Sequence, residues 1–230
     1  MVLAGGGFFL LSSAFIGSHS VTDACLVKFI GCRLKKNVEV KGRPVSQKIL
    51  VISGSDRDGS FNTQLAEQLV EALENEGQRA EVYDFSAVPL LSQNSEFPAP
   101  ESVQKLRADI ANAAGLILIS PKYNGSYPAR LKNLIDWASR AVIAGDRESP
   151  TVLNGKKVGI ASVANSTYGK FVRESLRHLV PYVRANLMEG EGLGVRIPGE
   201  AWGTGKLELD EEQQKNFDEF VANYMKFLGT

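Results

Sequence analysis

The sequence is poor in the side chains that build metal sites and covalent catalytic centres. Its cysteines are Cys25 and Cys32, and its histidines are His19 and His178. From residue 47 onward the sequence therefore contains no thiol and a single imidazole. A structural zinc site takes about four Cys or His ligands, and a disulfide takes a pair of cysteines. This scarcity excludes a structural zinc site, a disulfide framework and a cysteine nucleophile from residues 47–230.

The sequence also lacks net charge and long apolar runs. It carries 26 basic and 26 acidic side chains. Without a basic excess, no overall field points to nucleic acid, and the strong acidity of many small electron carriers is missing as well. The apolar stretch between Gly5 and Ile16 is shorter than the roughly 20 residues of a membrane span. We therefore expect no nucleic-acid partner and no membrane span.

Residues 1–46 differ in composition from the rest of the chain. They hold six Lys or Arg and two Asp or Glu, and the basic tract follows an apolar stretch. Three interpretations stay open for this extension: a targeting peptide, a wrongly chosen or non-native start, and an arm, structured or disordered. The expected location is the cytoplasm, or an organelle if residues 1–46 are a targeting peptide.

From residue 48 onward, strand and helix patterns alternate five times. The predicted strands are 48–53, 80–85, 115–120, 157–163 and 186–195, and the predicted helices are 60–75, 102–113, 128–141, 170–182 and 210–227. This alternation predicts an α/β fold with a doubly wound, five-stranded parallel sheet in a three-layer α/β/α arrangement. Such folds bind ligands at the carboxyl edge of the sheet, where the loop after the first strand lies. The glycines at positions 190, 192 and 194 predict a bend.

The segment 54–62 reads G-S-D-R-D-G-S-F-N and joins a predicted strand to a predicted helix. A helix start offers unpaired N–H groups and the positive end of the dipole. A Walker loop would need Gly-Lys-Ser/Thr, and a dinucleotide fingerprint would need three spaced glycines; neither is present. Two interpretations stay open: a monophosphate site built from Ser55, Ser60 and Asn62 with Arg57 as the cation, or a plain N-cap at Ser60.

The segment 120–137 follows the third predicted strand and reads S-P-K-Y-N-G-S-Y-P-A-R-L-K-N-L-I-D-W. In this topology the loops after the first and third strands face each other at the switch point. The N–H groups beside Gly125 and Ser126 are expected to bond the polar edge of a planar ring, and Tyr123 to border its face. Together the two loops predict a site for a phosphorylated planar ring.

The two segments together resemble the NADPH-dependent FMN reductase family, which has a flavodoxin-like fold and includes quinone, azo-dye and chromate reductases. Residues 54–62 match the family motif G-S-x-R-x-x-S-x-N. Residues 121–137 match P-E-Y-N-x-S-x-P-x-x-L-K-N-x-I-D-W at nearly every defined position. The resemblance implies that residues 47–230 form one flavodoxin-like reductase domain, with FMN as cofactor and NADPH or NADH as co-substrate.

The resemblance also implies a cofactor site at the matching positions. The residues implied around the FMN phosphate are Ser55, Arg57, Ser60, Phe61 and Asn62. The residues implied around the isoalloxazine ring are Pro121, Lys122, Tyr123, Asn124, Gly125 and Ser126. A Gly-rich turn after the fourth strand, only partly retained here, adds Ser162 and Gly169.

One position departs from the family pattern. Lys122 stands where the family typically has Glu. At the ring edge a cation would favour an anionic reduced flavin by Coulomb attraction; pointing outward, it would alter a subunit contact. The resemblance implies a homodimer or homotetramer with the flavin near a subunit boundary.

The activity implied by the resemblance is that of an NAD(P)H oxidoreductase. The flavin carries the chemistry, and no side chain is expected to act as a nucleophile. A quinone is the expected small-molecule acceptor because it stacks flat on a flavin, with free flavin, azo compounds and chromate as other acceptors. Two alternatives stay open: a flavodoxin-like electron carrier without NAD(P)H oxidase activity, and a flavin-free binding module.

Overall fold

A computed structural model describes residues 47–146 and 148–229 of the chain. The interpretations offered for residues 1–46 lie outside the described residues. The strands are β1 (Ile49–Ser53), β2 (Ala80–Val82), β3 (Gly115–Ile119), β4 (Lys157–Ala164), β5 (Asn186–Leu187) and β6 (Leu193–Arg196). The helices are α1 (Phe61–Asn75), α2 (Glu101–Asn112), α3 (Ala129–Ala138), α4 (Lys170–Tyr182), α5 (Ala201–Thr204) and α6 (Glu211–Leu228), with a 3-10 turn at Gln93–Ser95.

The strands form one parallel sheet in the order β2-β1-β3-β4, and both β5 and β6 pair with β4. The register places Ile49 opposite Ala80 on one side and opposite Gly115 on the other. β5 and β6 follow each other along the same edge of β4 and together occupy the fifth position. The predicted five-stranded, doubly wound parallel sheet is confirmed.

Helices cover both faces of the sheet. Every residue of β1 and β3 is buried, as expected for parallel strands packed on two sides. Alternate residues of these strands belong to two separate apolar clusters. One cluster contains side chains of α2, α3 and α4, and the other contains side chains of α1 and α6. The three layers predicted from the sequence are therefore present.

The last strand differs from its prediction as one continuous element. Between β5 and β6 the chain loops out at residues 188–192, where Gly190 and Gly192 have positive φ. A Cβ on Gly192 would lie 2.5 Å from the carbonyl oxygen of Ile160. The side chain of Arg173 holds the loop because its Nη1 donates to the carbonyl oxygens of Glu191 (2.7 Å) and Gly192 (3.0 Å). The bend predicted here is real, and it splits the strand.

Two other elements are shorter than predicted. β2 ends at Val82 rather than residue 85, because Asp84 begins a turn in which its Oδ1 accepts from the N–H of Ser86 (2.8 Å). α3 ends at Ala138 rather than residue 141. The sequence analysis also missed α5, a single turn that follows the sheet.

The loop between β2 and α2 fixes the position of α3. The carbonyl oxygen of Pro89 accepts from Trp137 Nε1 (2.7 Å) and from Asn133 Nδ2 (2.8 Å). Further along the loop, Arg140 makes two hydrogen bonds of 2.7 Å to the buried carboxylate of Glu96. These bonds to Arg140 lower the pKa of Glu96. These hydrogen bonds anchor α3, and the second candidate loop leads directly into the start of this helix.

The described helices include none that is both long and apolar enough to cross a membrane. Among the same residues, no group of three or more His, Cys, Asp or Glu is arranged to hold a metal ion.

Candidate functional site

The loop after β1 ends at Ser60, the N-cap of α1. The N–H of Asn62 donates to the Oγ of Ser60 (3.2 Å), and Ser60 is buried. A hydroxyl that accepts a hydrogen bond keeps its own proton for donation. Ser60 can therefore cap the helix and donate to a ligand, so the two interpretations of this residue are compatible.

The same loop contains N–H groups without a partner. In the described parts of the chain, no hydrogen bond uses the N–H of Asp56, Asp58, Gly59 or Phe61. Gly59 adopts a positive φ of 63° at the tip of the loop. Free N–H groups that precede a helix N-terminus form a concave surface that favours an anion. This geometry suits a phosphate.

Arg57 supplies the positive charge of the loop. Its guanidinium lies 5.3 Å from the centre of the Phe61 ring, and its Nη2 donates to the carbonyl oxygen of Gly59 (3.4 Å). The N–H of Arg57 donates to the Oγ of the half-exposed Ser55 (3.4 Å). The ring of Phe61 is buried and meets Trp202 edge-on at 5.4 Å. The side chain of Phe61 therefore supports the loop through its contacts with Arg57 and Trp202. That Phe61 binds the cofactor stays a prediction.

The acidic residue beside Arg57 is neutralised from another element. Asp56 forms an ion pair with Arg130 in the first turn of α3. The Arg130 guanidinium also lies 4.8 Å from the centre of the Phe85 ring. This contact joins the first loop to the helix that follows the second loop.

The second loop folds as a two-residue hairpin. The N–H of Tyr123 donates to the carbonyl oxygen of Ser126 (2.8 Å), and the N–H of Ser126 donates back (2.9 Å). Asn124 and Gly125 both have positive φ, at 51° and 86°, as a type I′ turn requires. The N–H of Ser126 is thus used within the turn. Of the donors predicted at this loop, those of Asn124 and Gly125 remain without a partner in the described chain.

The side chains of the second loop are open to solvent at its centre. Tyr123 is 54% exposed, and Pro121 is half-buried. The Lys122 ammonium lies 5.8 Å from the centre of the Phe171 ring, on the first turn of α4. Lys122 therefore points toward α4 and reaches the helix that follows the third loop.

Ser162 lies near the end of β4, just before the third loop, and makes a structural contact. Ser162 is fully buried and donates through its Oγ to the carbonyl oxygen of Ser120 (2.7 Å). Gly169 sits directly against it, because a Cβ at that position would lie 2.0 Å from Ser162 Oγ. This hydroxyl joins the ends of β3 and β4. That Ser162 also contacts the cofactor stays a prediction.

Asn62 also has a role that the sequence did not predict. Its Nδ2 donates to the carbonyl oxygen of Val163 (3.2 Å), and its Oδ1 accepts from the N–H of Val163 (2.9 Å). The side chain is 5% exposed. Because the amide is engaged on both sides, it connects the start of α1 to the end of β4. Its assignment to the phosphate site stays a prediction. The sequence could not predict the part played by Val163, because this residue bonds Asn62 only through its main-chain N–H and carbonyl groups.

Residues 47–196 match the family described as NADPH-dependent FMN reductase. The chain belongs to this family. The match covers the whole sheet and the three loops described above.

Curated members of the FMN reductase family and solved structures resemble the chain over most of its length. A 2-hydroxy-1,4-benzoquinone reductase of Burkholderia sp. is 30% identical over 182 residues, which are 79% of this chain and 96% of that protein. A quinone reductase of Escherichia coli K12 is 29% identical over 191 residues, covering 77% and 97%. The structure of the NAD(P)H:(acceptor) oxidoreductase FerB from Paracoccus denitrificans has a TM-score of 0.68 at 23% identity, covering 80% and 97%, and supports the fold.

The residues present fit the cofactor of an FMN reductase. The first loop offers free N–H groups, two hydroxyls and Arg57 for a phosphate monoester. The second loop offers an exposed tyrosine and two free N–H groups for the edge of a ring. In the third loop, Thr167 Oγ1 is buried without a partner among the described residues. Such an orphaned hydroxyl is common where a ligand or water completes the site.

We expect Asn62→Ala to weaken both the fold and the cofactor site of this FMN reductase. The substitution leaves the N–H and carbonyl of Val163 buried and unpaired, which costs about 1–3 kcal/mol of unfolding free energy. It also frees the start of α1 from β4, so FMN affinity should fall at least about tenfold, equivalent to about 1.4 kcal/mol. Urea unfolding of the apoprotein and fluorescence titration with FMN measure the two effects.

Gln68→Ala is the matched control. Gln68 lies on the same helix, and its Nε2 donates to the carbonyl oxygen of Leu207 (2.9 Å). Its removal should reduce stability while leaving FMN affinity within about twofold, a difference below about 0.5 kcal/mol. If Asn62 were only a phosphate ligand, N62A apoprotein would be as stable as wild type, which would contradict the bridging role.

Proposed function

We propose that the protein is an FMN-dependent NAD(P)H oxidoreductase that passes two electrons to a quinone or a similar small acceptor. The chain belongs to the NADPH-dependent FMN reductase family, and the relatives above are named quinone reductases. The observation that carries the proposal is the pair of loops at adjacent strand tips, one able to hold a phosphate and the other a ring edge. When bound, FMN supplies hydride acceptance from the nicotinamide and electron delivery to the acceptor.

The chain's own residues have distinct tasks in this proposal. Ser55, Arg57, Ser60 and the free N–H groups of the first loop bind the phosphate. The N–H groups of Asn124 and Gly125 donate to the polar edge of the ring, where they stabilise negative charge that develops on reduction. Tyr123 borders the ring and shields it from water. No nucleophile or metal is required, in accord with a sequence that has no cysteine after residue 46.

The phosphate role of the first loop is tested by comparing FMN with riboflavin, which lacks the phosphate. Arg57→Met removes the cation and keeps much of the apolar stem over Phe61. We expect FMN affinity to fall about tenfold, since a charge-assisted hydrogen bond contributes about 1.5–3 kcal/mol. Riboflavin affinity should stay the same. Fluorescence titration with both flavins measures this, and equal loss for the two would contradict a phosphate role.

Ser60→Gly separates helix capping from ligand binding. Glycine at an N-cap costs only a few tenths of a kcal/mol relative to serine, so the apoprotein should keep nearly its full stability. The hydroxyl donor is lost, however, and FMN affinity should fall while riboflavin affinity is retained. If S60G kept full FMN affinity, Ser60 would be only a helix N-cap, and its proposed role in binding the phosphate would be wrong.

The activity itself is tested by anaerobic addition of NADPH to the FMN-loaded protein. We expect rapid loss of the visible absorbance of oxidised flavin, and its return when a quinone is added. Steady-state rates should give parallel double-reciprocal lines, because the two substrates use one cleft in turn. Coloured protein that NADPH does not bleach would favour an electron carrier. Colourless protein that takes up no FMN would favour a flavin-free binding module.

We further propose a homodimer or homotetramer, in which residues 47–230 form the reductase domain and residues 1–46 an extension. Half-exposed apolar side chains, Phe97 at 40% among them, support a subunit contact. Sedimentation of the purified protein decides the oligomeric state. We propose a cytoplasmic location, or an organelle if residues 1–46 are removed on import, which mass spectrometry of the mature protein from its own cells decides.

A further inference from the structure

Lys122 joins the second loop of the proposed site to the start of α4. It lies one residue before the hairpin that begins at Tyr123, and its ammonium rests over the ring of Phe171. Phe171 is the second residue of α4, which begins immediately after the third loop. The Oγ of Ser175, one turn further, approaches the carbonyl oxygen of Gly125 at 3.4 Å. The second loop and the start of α4 therefore meet, with Lys122 at their junction.

No carboxylate of the described chain lies within ion-pair distance of the Lys122 ammonium. Among the described residues, the ion pairs of α4 are Lys170 with Glu174 (4.0 Å) and Arg173 with Glu191 (3.9 Å). Lys122 takes part in neither pair, and its ammonium lies over the ring of Phe171. A cation over an aromatic face keeps its full charge, since the ring contributes only a quadrupole. The junction thus carries one uncompensated positive charge.

Three exposed aromatic side chains lie in the second loop, the third loop and the start of α4. Tyr123 is 54% exposed, Phe171 50% and Tyr168, in the third loop, 41%. Tyr168 is held at a positive φ of 49°, and its carbonyl oxygen accepts from Arg173 Nε (3.3 Å). A planar molecule gains contact area from aromatic side chains, and one that also carries negative charge gains from the unpaired ammonium.

We propose that Lys122 and Phe171 form an acceptor-selecting rim, which favours planar acceptors with a negative charge over neutral ones of the same shape. Quinones with a carboxylate or sulfonate, and carboxylated azo compounds, have this chemistry. The inference rests on the proposed function, which supplies the reductant. For a quinone the balance is NAD(P)H, one proton and quinone giving NAD(P)⁺ and hydroquinone, so the acceptor's charged substituent takes no part in the electron transfer.

The test uses two acceptors that differ only in charge: a 1,4-naphthoquinone with a propionate side chain, and the corresponding propionamide. The measured quantity is the ratio of kcat/KM for the acid to that for the amide, on FMN-saturated enzyme. This ratio cancels any change in cofactor loading or hydride transfer, because both acceptors share it. We expect Lys122→Met to lower the ratio about three- to tenfold, as one screened charge at close range would.

Four further variants make the result specific. Lys122→Arg should restore the wild-type ratio, and Lys122→Glu should lower it below that of K122M. Phe171→Leu should lower it in part, because the ammonium loses the ring that positions it. Lys215→Met removes an exposed lysine from α6, on the opposite layer of the sheet, and should change neither the ratio nor the rates. Raising the salt concentration should reduce the wild-type ratio and leave that of K122M nearly constant.

An unchanged ratio in K122M would overturn the rim, even with full quinone reductase activity. If the wild-type protein reduced neither quinone, the proposed function would be wrong. Equilibrium dialysis of the two quinones against the oxidised protein would then test whether Lys122 selects the charged one. Tighter binding of the acid in wild type than in K122M would support it. Equal binding of the acid in both proteins, or no binding to either, would overturn it.

Discussion

The hydrogen-bonded pair between Asn62 and Val163 is the interaction on which the site depends. The first loop follows β1 and the third loop follows β4, and β3 lies between these two strands in the sheet. The two loops are therefore not on adjacent strands, and they are far apart along the chain. The Asn62 amide links the two loops by donating to the carbonyl oxygen of Val163 and accepting from its N–H, the same pair of bonds that a neighbouring strand would make. Because it is buried, loss of either partner would leave polar groups without water. One side chain thereby fixes how far apart the first and third loops of the candidate site lie.

Other strand tips are joined by small hydroxyl side chains. Ser53 Oγ and Thr63 Oγ1 lie 3.0 Å apart, which joins the end of β1 to α1. Ser162 joins β4 to β3, and Ser120 Oγ donates to the carbonyl oxygen of Pro121 (2.9 Å). These short side chains lose little conformational entropy on burial. They hold the loops in place before a ligand arrives, and pre-organisation of this kind lowers the entropic cost of binding.

The sequence predicted the fold and the first two loops because both depend on local patterns, whereas the third loop was implied only by the family resemblance. Buried strands read as apolar runs, and the residues around Gly54 and Asn124 carry turn and helix-start signals. The roles of individual side chains were harder to predict, because Ser and Asn can either bind a ligand or form hydrogen bonds that hold the fold together. Asn62 and Ser162 were assigned to the cofactor, although their partners lie 101 and 42 residues away. No local pattern reports such a distance. The split of the last strand depends likewise on Arg173, in the preceding helix.

The charges of the three loops divide the site into two electrostatic regimes. In the first loop Asp56 is paired with Arg130, and Asp58 follows Arg57 directly, so the formal charges cancel. Anion binding there must come from oriented N–H groups and from the position of the Arg57 guanidinium, which act over short range. At the second loop Lys122 forms no ion pair with any described residue, and its charge acts over about a Debye length. Salt should therefore affect acceptor binding more than it affects the cofactor, although the chain as a whole carries no net charge.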